Sequence, residues 1–215
     1  MKEKLPLQFF VTGIGTGVGK TLVSAVMTEA LQCDYWKPIQ SGGLENTDTD
    51  LVRSLVCNPV SVFHPESYRL KTPASPHYAA ALEGEEIEIE KIQLPQTNHR
   101  LLIEGAGGLL VPISPELVMY DLIEYFHLPV VVVVRNYLGS INHALLTLQF
   151  LDTQGVRVLG IVFSGNNYND NEQIIEHFSG LPVLGYVEEG STIDASFVSQ
   201  QAVKMKQSLS QLFDF

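Results

Sequence analysis

At 215 residues and a formal charge of −11, the chain is long enough to bury a large core and is a poor match for a nucleic-acid surface. Its thirteen lysines and arginines are scattered, which points to a small-molecule partner. The length fits one domain over residues 1–215. Cys33 and Cys57 form no metal or redox motif, and the apolar run after Met1 to Lys4 is too brief for a signal peptide. No stretch is long enough to span a bilayer, so a cytoplasmic location with free thiols is expected.

Leu7 to Val11 is an apolar strand that feeds Gly13-Ile14-Gly15-Thr16-Gly17-Val18-Gly19-Lys20-Thr21, and the apolar stretch Leu22 to Leu31 follows. Strand, glycine-rich turn and helix in that order make a phosphate-binding loop, in which backbone N–H groups and the helix N-terminus face the anion. The spacing G-x-x-x-x-G-K-[ST] places Ile14 where the first glycine belongs, with Gly13 one residue too early. Gly15, Gly17 and Gly19 still allow positive φ angles and close approach of the backbone to phosphate. A nucleoside triphosphate is the expected ligand, with Lys20 on the β/γ-phosphates and Thr21 on Mg²⁺. A Rossmann reading leaves Lys20 and Thr21 unexplained, and a chance Gly-Lys-Thr leaves the flanking strand and helix unexplained.

Asp34 to Trp36 reads as a second strand, ending in a loop Lys37 to Gly43 that brings Lys37 and Ser41 to a carboxyl edge. Asn46 to Asp50 precedes a helix over Leu51 to Val56, with Asp48 or a neighbour as its cap. Asn58 to Pro76, with four prolines, reads as a long loop, and a helix then runs from Pro76 to Leu82. Five glutamates between Glu83 and Glu90, set against Ile87 and Ile89, form a solvated helix or edge. Leu101 to Ile103 is a buried strand running into the turn Glu104-Gly105-Ala106-Gly107-Gly108, which puts Glu104 where a Walker-B acid sits. Asp121 to Phe126 is helical, and Pro129 to Val134 is a buried strand by its unbroken β-branched run. Ile141 to Gln154 is a helix stopped by Gly155, and Val156 to Phe163 a strand. Asp170 to Phe178 is a helix, Pro182 to Leu184 a strand, and Ala195 to Phe213 a terminal helix striped by Val198, Ala202, Met205, Leu209 and Leu212. This alternation predicts an α/β fold of the P-loop NTPase type, with a mainly parallel sheet between two helical layers.

Thr21, Asp50 and Glu104 supply the hard oxygens that Mg²⁺ prefers. Lys37, at a strand end, suits an anionic acceptor or the transferring phosphoryl group. The six histidines show no metal-ligand spacing and read mostly as surface or loop residues.

Together these segments resemble the dethiobiotin synthetases, the ATP-dependent ligases of biotin synthesis. The family's loop is similar to Gly13 to Thr21, extra residue included. Further matches are Lys37-Pro38 with Ser41-Gly42, Pro73 to His77, Glu104 to Gly108, and Leu138 to Ala144. The resemblance implies that carbon dioxide and 7,8-diaminononanoate form a carbamate, that ATP phosphorylates it, and that the second amine closes the ring. It implies Thr16, Lys20 and Lys37 at the carbamate and phosphates, Thr21, Asp50 and Glu104 on Mg²⁺, and Ser41 at the diamine. The nucleotide would lie against Gly17 to Leu22, Glu104 to Gly107, Ser164, Gly165 and Val187 to Glu189. Gly139, Ser140, Ile141 and Asn142 would hold the substrate carboxylate in the second subunit, which implies a homodimer. Departures from the family pattern are Gly15 and Gly17 for acids, Ser164-Gly165 for Asn-Asp near the base, and Glu188 for proline. Two rivals stand beside this reading: a partitioning-type ATPase on a related fold, whose loop carries an early lysine where Ile14 and Gly15 stand here, and a cobyric-acid-type amidoligase, which would need a glutamine-hydrolysing domain.

Overall fold

The computed structural model describes residues 2–214. The path begins with β1 (Glu3–Lys4), β2 (Gln8–Gly13) and α1 (Lys20–Leu31), the glycine-rich loop lying between the last two. β3 (Asp34–Trp36), β4 (Ile39–Ser41), α2 (Asp48–Leu55), β5 (Phe63–His64), β6 (Tyr68–Leu70) and α3 (Pro76–Glu83) follow. A 3₁₀ turn at Ile89–Lys91 leads to β7 (Leu101–Gly108), α4 (Met119–Tyr125), β8 (Val130–Arg135) and α5 (Ser140–Thr153). The chain closes with β9 (Val158–Ser164), α6 (Asn171–Ser179), β10 (Val183–Val187), α7 (Ala195–Leu212) and β11 (Phe213–Asp214).

Seven strands form one sheet in the order β10-β9-β8-β2-β7-β3-β5, and every pairing in it is parallel. Parallel strands need crossover helices, and these cover both faces of the sheet. Successive side chains enter opposite layers. Phe9, Val11, Val131 and Val133 pack with Val23 and Met27 of α1 and Val198 and Met205 of α7. Phe10, Val130, Val132 and Val134 pack with Leu122 and Ile123 of α4 and Leu148 and Leu151 of α5. No valine of β8 is more than 1% exposed, and burying each such side chain stabilises the fold by about 1.5–3 kcal/mol. This is the expected three-layer arrangement.

The differences from expectation lie in short elements. β4 and β6, inside segments read as loops, pair with each other in a separate parallel ladder, and β5 extends the edge of the main sheet. Two or three residues are too few to show a period, and their pairing is decided by partners far along the chain. β7 runs on to Gly108 instead of turning at Glu104. α2 starts at Asp48, three residues before the expected position, under a capping box made by Thr47 and Asp50.

His64 and His99, read as loop residues, meet at a buried carboxylate. Asp34, at the start of β3, accepts hydrogen bonds from Thr97 Oγ1 at 2.6 Å and the Val62 N–H at 2.9 Å. It also bonds His99 Nδ1 at 3.0 Å and His64 Nε2 at 3.2 Å. Burial opposes its charge, but the bonds from Thr97, Val62, His99 and His64 outweigh burial and hold its pKa below the ordinary aspartate value. Asp34→Ala should therefore cost about 2–4 kcal/mol in urea unfolding at pH 7, because the Val62 N–H and Thr97 hydroxyl lose a charged acceptor. A depressed carboxylate stabilises the fold above its unfolded pKa and loses that contribution as pH falls through the folded value. The gap between wild type and variant should accordingly shrink in unfolding curves taken below about pH 4.

Candidate active site

Because the strands run one way, the carboxyl ends of β2, β3, β7, β8, β9 and β10 share one edge of the sheet, where open α/β sheets keep their ligands. A cleft of about 720 Å³ opens there. Its floor is the loop between β2 and α1. Gly17 and Gly19 take φ angles of +72° and +91°, a backbone that side-chain-bearing residues adopt only under strain, whereas Gly15 stays outside that region. A Cβ on Gly19 would also lie 2.3 Å from Ser164 Oγ, so this glycine lets the end of β9 close against the loop. No side chain caps α1, which leaves the N–H groups of its first turn for an anion. Lys20 Nζ donates to the Gly15 carbonyl at 2.9 Å. Burial lowers the pKa of Lys20 to about 8; the charge of Glu104 works against that shift and the charge of Lys37 adds to it.

Beside the loop lies a group of buried charges. Glu104, on β7, is 0% exposed. Its Oε1 accepts from Thr21 Oγ1 at 2.9 Å and Lys37 Nζ at 3.3 Å, and its Oε2 from the Tyr35 hydroxyl at 3.0 Å. Lys37 also donates to Asp48 Oδ2. Burial pulls the Lys37 pKa down, but the charges of Glu104 and Asp48 outweigh it and leave that pKa above the usual lysine value. Lys37 is a fixed cation, while Lys20 is held within reach of neutral pH.

Thr16, Gly17, Gly19, Lys20, Thr21, Leu22, Lys37, Glu104, Gly107, Ser164, Gly165, Glu188 and Glu189 all line this cleft. Val18 and Val187 point into the core, and Gly105 and Ala106 lie along β7 away from the cleft lining. Ser41 ends β4, its hydroxyl buried with no hydrogen-bond partner. Gly139 to Asn142, at the start of α5, stand apart from the cleft.

The geometry corrects one expectation. Asp50 does not join Thr21 and Glu104: its carboxylate accepts from the Thr47 N–H at 3.1 Å and Thr47 Oγ1 at 2.9 Å, and it pairs with Arg53 at 2.8 Å. Asp48 takes the place in the cleft. Two residues apart on a helix is about 200° of rotation, so both acids cannot face one site. The missed signal was Thr47-x-x-Asp50, whose capping pattern fixes the phase of the helix. Arg135 was missed as well. It reaches the Gly17 carbonyl at 3.4 Å and Glu189 at 3.0 Å, and Asn166 holds the other oxygen of Glu189 at 3.1 Å. Glu188 is drawn to Lys204 on α7 at 2.8 Å.

A strand-loop-helix phosphate cradle with a buried acid and lysine at the carboxyl edge of a parallel sheet defines a P-loop nucleotide-binding protein. Solved structures agree on the fold: the cell division ATPase MinD of Pyrococcus furiosus superposes with a TM-score of 0.62 at 12% identity, covering 96% of this chain and 100% of that one. A ParA family ATPase from Chlorobium tepidum TLS gives 0.55 at 16% identity, covering 95% of each chain. The AAA domain family model (AAA_26) matches residues 7–196. The ATP-dependent dethiobiotin synthetase BioD of Christiangramia forsetii is 45% identical over 208 residues, 97% of this chain and 100% of that protein. That of Cytophaga hutchinsonii is 49% identical over 199 residues, 92% and 96% respectively. The chain belongs to the ATP-dependent dethiobiotin synthetase family.

The two acids of α2 should separate in experiment. Asp50→Ala should lower the unfolding free energy by about 0.5–2 kcal/mol through the lost cap, with ADP affinity in the presence of Mg²⁺ unchanged by calorimetry. Asp48→Asn should weaken that affinity about tenfold or more, since it removes a charged oxygen from the cleft; equal effects of the two would refute the assignment.

Proposed function

We propose that residues 1–215 form one ligase domain that carboxylates 7,8-diaminononanoate and closes its ring with carbon dioxide and ATP, yielding dethiobiotin, ADP and phosphate. The observation that carries this reading is one cleft holding both an uncapped phosphate loop and a charged group of buried Lys37 and Glu104 with the partly exposed Asp48. Carbon dioxide adds to one amine to give a carbamate. The γ-phosphoryl group then moves to a carbamate oxygen and ADP departs. The second amine attacks the carbonyl carbon of the carbamic-phosphoric anhydride, the bond to phosphate breaks, and the ureido ring is closed.

In this reading Lys20 and the N–H groups of the loop hold the polyphosphate, and Lys37 with Thr16 balances the carbamate and the moving phosphoryl group. Thr21, Asp48 and Glu104, a hydroxyl and two carboxylates, have the donor chemistry for Mg²⁺, and Asp48 replaces Asp50 in that set. When bound, the cation neutralises charge on the β- and γ-phosphates. Ser41, with its unpartnered buried hydroxyl, offers the diamine a contact.

A second slot of about 290 Å³ starts at Gly15 and Thr16 and runs past Leu109, Val111, Leu146 and Phe150. Its apolar lining suits the alkyl chain of the substrate. Gly139 to Asn142, at the uncapped start of α5 and apart from their own cleft, suit the substrate carboxylate of a second subunit, which makes the working form a homodimer. None of the helices in the described residues is long and apolar enough to cross a membrane, and a cytoplasmic location is part of the same proposal. The partitioning-type ATPases share only the fold, at 12–16% identity.

The direct test is ADP release with diamine, bicarbonate and MgATP, omitting each in turn; release that ignores the diamine would overturn the reading. Lys37→Ala should lower kcat by about 10²-fold or more. Base selectivity should be modest, because Glu188 and Glu189 are engaged by Lys204, Arg135 and Asn166, and Ser164 offers a single hydroxyl. The ratio of kcat/KM for ATP over GTP should stay below about 10⁴, the scale of a hydrogen-bonding specificity pocket.

A further inference from the structure

Among the described residues Glu104 is the one fully buried carboxylate of the cleft, and different elements hold its two oxygens. Oε1 faces Thr21 and Lys37, and Oε2 accepts from the Tyr35 hydroxyl. Tyr35 lies on β3 at 0% exposure with its ring against Phe63, and it does not line the cleft. It touches neither the nucleotide space nor the substrate slot.

A carboxylate turns about its last torsion through a broad, nearly two-fold profile, and packing alone does not choose which oxygen meets a ligand. Donors on both oxygens do choose. With Tyr35 on Oε2, the remaining lone pairs of Oε1 are presented beside Thr21 Oγ1, toward the phosphate loop. With Tyr35 removed, Oε2 is left unpaired in the core and gains by swinging toward Lys37 or Thr21, which spoils that presentation. We propose that Tyr35 is a positioning residue for the divalent cation, fixing the Glu104 carboxylate so that Oε1, with Thr21, meets the metal of the nucleotide complex. This rests on the reading of Glu104 as a metal ligand. Outer hydrogen bonds to metal ligands of this kind are typically worth about 10–100-fold in metal affinity or activity.

The test is Tyr35→Phe, which keeps the ring and its packing and removes one oxygen. Mn²⁺ binding to the enzyme–ADP complex, followed by electron paramagnetic resonance, should weaken about tenfold or more. The Mg²⁺ concentration giving half-maximal turnover should rise by a similar factor, with ADP affinity in EDTA unchanged. Trp36→Phe, the next residue on β3, loses a bond from Nε1 to the Pro65 carbonyl at 3.0 Å and does not itself line the cleft; it should leave both metal titrations in place, which separates positioning from general loosening of β3. In the Glu104→Gln background the Tyr35→Phe effect should vanish, since residues that act through one another are not additive. If Glu104→Gln leaves Mn²⁺ binding intact, the metal-ligand reading of Glu104 fails. If Glu104→Gln abolishes Mn²⁺ binding while Tyr35→Phe leaves it unshifted, or shifts it no more than Trp36→Phe does, the positioning role of Tyr35 is overturned.

Discussion

A carboxylate sealed at the carboxyl edge of the sheet sets the terms for everything around it. Glu104 has no exposed surface, and an ionised group taken out of water is tolerated only when its oxygens are met by donors and countercharge. Those partners come from α1 and from β3 with the loop that follows it: Thr21 on α1, Tyr35 on β3, and Lys37 just beyond β3. Lys37 is itself a buried charge and reaches on to Asp48, which draws in the start of α2. Burial of this kind is weak evidence for stability, since well-packed apolar residues would serve as well. Its place at the mouth of a phosphate loop accords with the proposed chemistry, in which a fixed array of charge needs no rearrangement when the phosphoryl group moves.

β3 illustrates how a three-residue strand is kept in place. So short a strand makes few ladder bonds, and a slip by one residue would reverse every side chain. Its register is held by polar contacts at both ends. Asp34 ties its start to Thr97, His99, Val62 and His64, and Tyr35 and Lys37 tie its far end to Glu104. Between them Trp36 packs on the opposite face among Phe10, Leu101 and Ile103. Two buried carboxylates, Asp34 at one end and Glu104 at the other, are thus linked through the same strand.

The side of the cleft at the ends of β9 and β10 is built differently. There the carboxylates are half exposed, and they are engaged by Arg135, Asn166 and Lys204 in contacts that solvent and salt screen. In the proposed reading binding energy resides in the polyphosphate end, where the positive φ of Gly17 and Gly19 shapes the loop.

Much of this protein is legible in its sequence because the relevant signals are local. The strand, glycine turn and Gly-Lys-Thr of the phosphate loop are contiguous, the five valines of β8 declare a buried strand, and Lys37 and Glu104 follow apolar runs whose ends must lie at the ligand edge of a parallel sheet. What the sequence did not determine was whatever depends on phase or on distant partners. Asp48 and Asp50 are equivalent as letters, and only the capping of α2 at Thr47 turns one into the cleft and the other toward Arg53. β4, β5 and β6 have no periodicity of their own and exist because Ile39 to Ser41 meets Tyr68 to Leu70 and because Tyr35 and Trp36 meet Phe63 and His64. Tyr35 reads as one more apolar strand residue; its hydroxyl acquires a role only when the sheet brings a carboxylate 69 positions away to within 3.0 Å. Local pattern reports what a residue's chain neighbours require, whereas the direction a side chain faces and the group it meets are fixed by packing of segments that the chain itself keeps far apart.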